Sequence, residues 1–352
     1  MKSLLTIIAL AAVLQLQARD NAICVEAGNV RSLLNAIEQA NRQNADSTAS
    51  QLFILIPDGY YDLGEQVLTT LSGHHVALVG QSMQNTVIRN APPAANEGIG
   101  KTAVIRNTGS DNYFSDLTLR NDLDYYHSGS AGRAVCLQDK GTRTICQRVR
   151  MLSYQDTYYS DNEQCQHYFD ESEIHGTIDF ICGAGDVFFN SCTIVAEPRT
   201  EDGKGRDVIA APRTANTPWG YVFESCTFRS DKSDFYYARG WHTQPRLTLL
   251  RTTLLTPDKL TVPRFDEKGM RTVESLFYEY KTCDAEGRDI TPRSNVVTFT
   301  LNDQHRSHET ILTDEEARKY RLENIFPDWR PEKKARRIAG KAARLKKTAW
   351  GK

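Results

Sequence analysis

Arg133, Asp156 and Asp179 follow one another at a constant interval of 23 residues, and both aspartates sit among aromatic and apolar neighbours, in YQDTYY from Tyr154 and GTIDFICG from Gly176. If 23 residues make one coil of a stacked parallel β structure, the three side chains fall on neighbouring rungs about 4.7–4.9 Å apart. Two carboxyls that close do not both ionise comfortably. One keeps its proton while the other stays anionic, which separates an acid from a base or nucleophile. Taken singly, each aspartate would be an ordinary turn or cap residue; the shared interval is what points to chemistry.

A coil needs repeating strands, and a short pattern of alternating apolar and polar residues returns along the chain. It reads YFSDLTLR from Tyr113, ICQRVRML from Ile145, YFDESEIH from Tyr168, FFNSCTIV from Phe188 and VFESCTFR from Val222, with a weaker LLRTTLL from Leu249. The equivalent residues Leu117, Val149, Ser172, Cys192 and Cys226 lie 20 to 34 residues apart, a spacing suited to a solenoid with loops of variable length. The strands are rich in Val, Ile, Phe, Tyr and Thr, and the segments between them carry Gly, Asn, Asp and Pro. The fold expected is all-β, a parallel β-helix, with an antiparallel β-sandwich as the alternative. In VRSLLNAIEQANRQ from Val30, residues Leu33, Leu34, Ile37 and Ala40 fall at helical spacing, so an amphipathic helix is expected to cap the open end of the stack.

The chain has 352 residues, 40% of them hydrophobic and 25% charged, which suits one large domain. Residues 1–18 read as a signal peptide: an apolar run from Leu4 to Leu14 is too short to span a bilayer, and Ala18 offers a small residue for cleavage. The expected organisation is therefore an export signal at 1–18, a β-helix domain at 19–330 and a basic tail at 331–352, in a protein exported to the periplasm or the extracellular space. Neither a membrane span nor an obligate partner subunit is expected, and the chain is read as a monomer.

All eight cysteines follow the signal. Cys192 and Cys226 occupy equivalent strand positions and are expected as reduced core thiols, whereas Cys24, Cys165 and Cys283 stand in loop-like contexts better suited to bridges. No Cys-x-x-Cys or His-Glu-x-x-His pattern occurs, so no metal is expected. From Lys333 to Lys352 there are nine Lys or Arg and no acid, which leaves 34 basic against 44 acidic residues elsewhere, a formal balance of −10. An acidic body disfavours a nucleic-acid groove, and the tail is expected as a solvated extension, with a short basic helix touching a polyanion or a membrane surface as the alternative.

YQDTYY, GTIDFICG followed by FFNSC, and YYARGW from Tyr236 together resemble, in order and spacing, the signatures of the pectin methylesterases. IPDGYYDLG from Ile56, VALVGQSMQNTVI from Val76 and FYEY from Phe277 extend the likeness over most of the chain. The resemblance implies a right-handed parallel β-helix that removes methyl esters from galacturonate residues of pectin, releasing methanol without a cofactor. By the same resemblance Asp179 is the nucleophile, Asp156 the acid and then base, Arg239 the cation paired with the nucleophile and Gln155 an oxyanion donor. Trp241 and Tyr159 would line the sugar groove.

Two positions depart from the family pattern. Arg133, in RAVCL, stands where the family carries a second oxyanion glutamine; a guanidinium can donate to an oxyanion, and it can also bind a substrate carboxylate. Cys182 stands where the family usually has a phenylalanine beside the methyl ester. These changes leave the substrate open among methylated homogalacturonan, a branched pectin fragment, a short oligosaccharide and a different ester. The rival readings are a β-helix lyase or polygalacturonase, which would shorten the polymer rather than release methanol, and a noncatalytic pectin-binding relative. A serine esterase is disfavoured by the lack of Gly-x-Ser-x-Gly.

Overall fold

The computed structural model describes residues 21–351 apart from 94–97, 214–216, 242–243, 268–275 and 302. The expected export segment and its cleavage position Ala18 lie outside the described residues. The repeated strands pair in parallel: Leu117 lies beside Val149, and the flanking pairs place Ser172, Cys192 and Cys226 at the same position on successive rungs. The chain is thus a parallel β-helix, and the sandwich alternative is excluded. The hand of such parallel crossovers is right-handed.

One backbone device repeats at each coil. Asp116, Arg148, Glu171, Ser191, Ser225, Arg251 and Lys281 all adopt left-handed φ between 49° and 55°, each directly before the inward-facing residue of its rung. Their amides bond to the next rung, as in Glu171 N to Asn190 O at 3.0 Å and Ser191 N to Glu224 O at 2.9 Å. The stack therefore satisfies the corner that it bends. Inside it, Phe169, Phe189 and Phe223 stack with ring centroids 4.9 and 4.4 Å apart, placing rigid apolar area along the axis.

The helix Val30–Gln43 closes the N-terminal end as expected. The Asn29 side chain caps it by accepting from Ser32 N at 3.0 Å, and Leu33, Ala36, Ile37 and Ala40 are buried against the core. Among the described residues no helix is long and apolar enough to cross a membrane.

Two expectations fail here. The eight cysteines are all free. Cys24 lies in the first rung and Cys283 in the last, at opposite ends of the stack, while the buried Cys165 thiol points to Ala184 O at 3.5 Å. The basic tail is not a solvated extension but the helix Pro331–Trp350, which buries Ala335, Ile338, Ala342 and Leu345. They cover the outward residues Phe53, Ala77, Tyr113 and Ile145 of the larger sheet. Lys334 bonds to Asp111 and Lys346 to Asp116, both at 2.6 Å.

A second, eight-stranded sheet forms another face of the coil. It runs from Thr69–Leu71 through Ile105–Asn107, Leu137–Asp139, Tyr158–Ser160, Ile178–Gly183, Arg206–Pro212 and Asp234–Arg239 to Phe265–Asp266. Tyr158, Ile181 and Ala210 point inward, so their chain neighbours Tyr159, Cys182 and Ala211 form an outward row.

Candidate active site

That outward row is part of a cleft of about 880 Å³ whose walls include Arg133, Gln155, Asp156, Asp179, Cys182, Arg239 and Trp241. Seven of the eight residues expected at the site meet there. Tyr159, the eighth, is buried: its hydroxyl donates to Asp161 at 2.7 Å, and the Trp241 ring lies over it at 6.2 Å. The aromatic that lines the cleft is thus the half-buried Trp241, with Tyr159 packed against it.

Backbone geometry aims the two aspartates. Tyr158 pairs with Ile181, so Asp156 and Asp179 fall in one register on adjacent rungs, both with left-handed backbone at φ 61° and 53°. Against the following strand the register slips between Ile178 and Ile181. Such a bulge turns a side chain away from regular alternation, and here Phe180 stays in the core while Asp179 faces the cleft. Gly176 makes the approach possible, since a Cβ there would lie 2.2 Å from Phe180 Cβ and 2.5 Å from Tyr154 O. The interval does not extend as expected to Arg133, which pairs with Gln155, one residue short of Asp156. The pairing offset is 22 residues at Arg133–Gln155 and 21 at Leu137–Tyr158, against 23 at Tyr158–Ile181, so the slip lies within the coil that follows Arg133.

Their partners set the carboxyls apart. Arg239 grips Asp179 bidentately, Nε donating to Oδ1 at 2.8 Å and Nη2 donating to Oδ2. Burial pushes Asp179 above the ordinary carboxylate range, and the Arg239 charge pulls against that shift. Asp156 has no such clasp. Burial, then the neighbouring Asp179 charge, push it up to about 8, with Arg133 and a Cys182 thiol contact at 3.7 Å pulling the other way. The Arg239 ion pair thus favours the negative charge on Asp179, and burial favours the proton on Asp156.

The Gln155 backbone is fixed by Ala134 N, which donates to its carbonyl at 2.9 Å, while its side-chain amide makes no hydrogen bond among the described residues and lines the cleft. One Arg133 nitrogen donates to Ser130 O, and the guanidinium also borders a second cleft that includes Tyr125, Arg199 and Asp202. Arg239 and Gln155 border both clefts, so the two form one continuous groove. Ile99, Lys101, Ala211 and Gly240 complete the wall near the aspartates, and Arg213 stacks over Trp241 at 5.2 Å. Sequence reasoning missed Ile99, Lys101 and Arg213 because loops outside any quoted motif deliver them. Among the described residues no group of three or more His, Cys, Asp or Glu could hold a metal ion.

A family model described as pectinesterase matches residues 22–321. Among curated proteins the chain is 25% identical over 228 residues to probable pectinesterase 50 of Arabidopsis thaliana, covering 64% of this chain and 60% of that protein. It is 24% identical to probable pectinesterase A of Aspergillus oryzae, covering 76% and 80%. Against probable pectinesterase 30 of Arabidopsis thaliana the match covers 50% of the relative, so the chain spans only half to three-fifths of two of these proteins. Among solved structures it superposes on the pectin methylesterase PemA from Erwinia chrysanthemi with a TM-score of 0.64 at 24% identity, covering 84% and 93%. For the pectin methylesterase from carrot the TM-score is 0.65 at 19% identity, covering 82% and 88%. At such identities these superpositions establish likeness of fold.

Proposed function

The chain belongs to the pectinesterase family, and from that premise we propose that it hydrolyses methyl esters on galacturonate residues of pectin. The observation that carries this reading is the unequal carboxyl pair: Asp179 clasped by Arg239 and Asp156 buried and pushed up to about 8, side by side in one open cleft.

The pair divides the reaction in two. The Asp179 carboxylate attacks the ester carbonyl carbon, and the negative charge that forms on the carbonyl oxygen meets the free amide of Gln155 and the guanidinium of Arg133. As the carbon–oxygen bond to the methoxy group breaks, Asp156 gives its proton to the leaving oxygen and methanol departs. Asp156, now anionic, takes a proton from water, whose oxygen attacks the substrate carbonyl of the acyl-enzyme; Asp179 is released and a free galacturonate remains. Arg239 keeps Asp179 anionic at the start and receives it again at the end. Trp241 offers a flat apolar face to a pyranose ring.

Around this centre the reading includes export directed by residues 1–18, a catalytic unit from 19 to 330 with the C-terminal helix appended, and action as a monomer on methylated homogalacturonan or a branched pectin fragment. Methanol release from methylated pectin, measured beside chain length, tests the assignment. Methanol without shortening is expected; shortening without methanol would transfer the site to glycosidic-bond cleavage.

A further inference from the structure

The helix Pro331–Trp350 lies beyond the residues that the family model matches. Its apolar side is spent on the coil, and the two lysines that turn inward are neutralised by Asp111 and Asp116. On its other side Lys333, Arg336, Arg337, Arg344 and Lys347 are exposed, and among the described residues none of them forms an ion pair with an acid. From Lys333 to Lys347 this row runs about 21 Å at 1.5 Å per residue. Being pinned along its length, the helix presents these charges in a fixed line, whereas a disordered tail would scatter them. A body with a formal balance of −10 holds this cationic strip on the larger sheet, away from the cleft on the smaller one.

We propose that the outward face of Pro331–Trp350 is a second binding surface, for a run of free carboxylates along a polyuronate chain. The inference rests on the reading of the cleft as a site that produces such carboxylates. A de-esterified block leaving the cleft carries the charge that the strip lacks, and holding it there raises the concentration of the same polymer's remaining esters near the site. A membrane surface fits less well, because an interfacial helix needs an apolar face to bury in lipid, and Ala335, Ile338, Ala342 and Leu345 are already buried in the protein. A single-stranded nucleic acid also fits less well, since the exposed residues of the strip include no aromatic ring on which a base could stack; a duplex is distinguished by the test.

The test is the full chain carrying Arg336→Gln, Arg337→Gln, Arg344→Gln and Lys347→Gln together, exposed changes that leave the buried side of the helix intact. Affinity for fully de-esterified polygalacturonate at low salt is expected to fall about tenfold or more, and wild-type affinity to fall steeply as salt rises. Methanol release from short methylated oligogalacturonates should be unchanged. Retained polygalacturonate affinity in the variant would overturn the proposal, as would tighter wild-type binding to phosphatidylserine vesicles or to duplex DNA than to polygalacturonate. If the wild type releases no methanol, the reading of the cleft fails while this binding comparison still reports on the strip.

Discussion

Asp156 and Asp179 occupy one register position on adjacent rungs, both with left-handed backbone, yet Arg239 clasps Asp179 alone. On the proposed mechanism, that asymmetry separates two chemically identical side chains into an acid and a nucleophile.

The pH dependence follows from it. Asp156 must carry its proton for methanol to leave, so turnover should fall as pH rises through about 8. Asp179 must be anionic, so turnover should also fall as pH drops through its own value, which burial holds above the ordinary carboxylate range. A bell-shaped kcat profile is expected. A rate flat from neutral pH to well above 8 would mean that Asp156 is not the proton donor.

Arg133 acts on the same pair from the side. If it donates to the oxyanion, Arg133→Ala should cost about 10²–10³ in kcat while Arg133→Gln keeps much of the rate. Because its charge lowers Asp156, both changes should move the alkaline limb of the profile upward. If instead it reads a neighbouring free carboxylate, KM should rise and preference shift to more fully methylated pectin. Unchanged kinetics and an unmoved limb would place Arg133 outside the reaction.

Holding Asp156 protonated has a cost in stability. Its folded value lies above its unfolded one, so folding takes up a proton, and stability falls as pH rises from about 4 to about 8. Asp156→Asn should therefore raise the melting temperature, by an increment that grows across that window and levels off above it. Each kcal/mol gained corresponds to roughly 2–4 °C for a domain of 150–250 residues, and calorimetry across pH reads it directly. A constant or absent increment would contradict the burial argument.

The C-terminal helix supplies a separate stability test. Ile338→Ala or Leu345→Ala should each destabilise by about 2–5 kcal/mol, because each opens a cavity over the larger sheet. Turnover at low temperature should persist, since the helix does not border the cleft. Unaltered melting in both variants would mean that the helix is not packed on the coil in solution.

The strand repeat and the aspartate register were legible because a coil is a local pattern repeated, and its period survives in the spacing of Leu117, Val149, Ser172, Cys192 and Cys226. Arg133 was misplaced by one rung position because the pairing offset changes within its own coil, from 22 residues at Arg133–Gln155 to 21 at Leu137–Tyr158, and a constant interval cannot reveal such a slip. The tail was misread because its nine charges outweigh a sparse apolar series, Ala335, Ile338, Ala342 and Leu345, that acquires meaning only against Phe53 and Tyr113 some 200 to 300 residues earlier. Tyr159 was assigned to the groove on motif alone, and only the fold sets Trp241 above it. Lys101 and Arg213 reach the site through loops, for which a sequence holds no period.

The central claim is that Asp179 forms the bond to substrate while Asp156 moves the proton, and steady-state methanol release by folded Asp179→Asn and Asp156→Asn tests it most directly. Each amide keeps the shape of the site but loses one role, the nucleophile or the transferable proton. Both variants should retain the wild-type circular dichroism spectrum and lose about three orders of magnitude or more in kcat on a methylated oligogalacturonate. Near-normal methanol release from either folded variant would contradict the account.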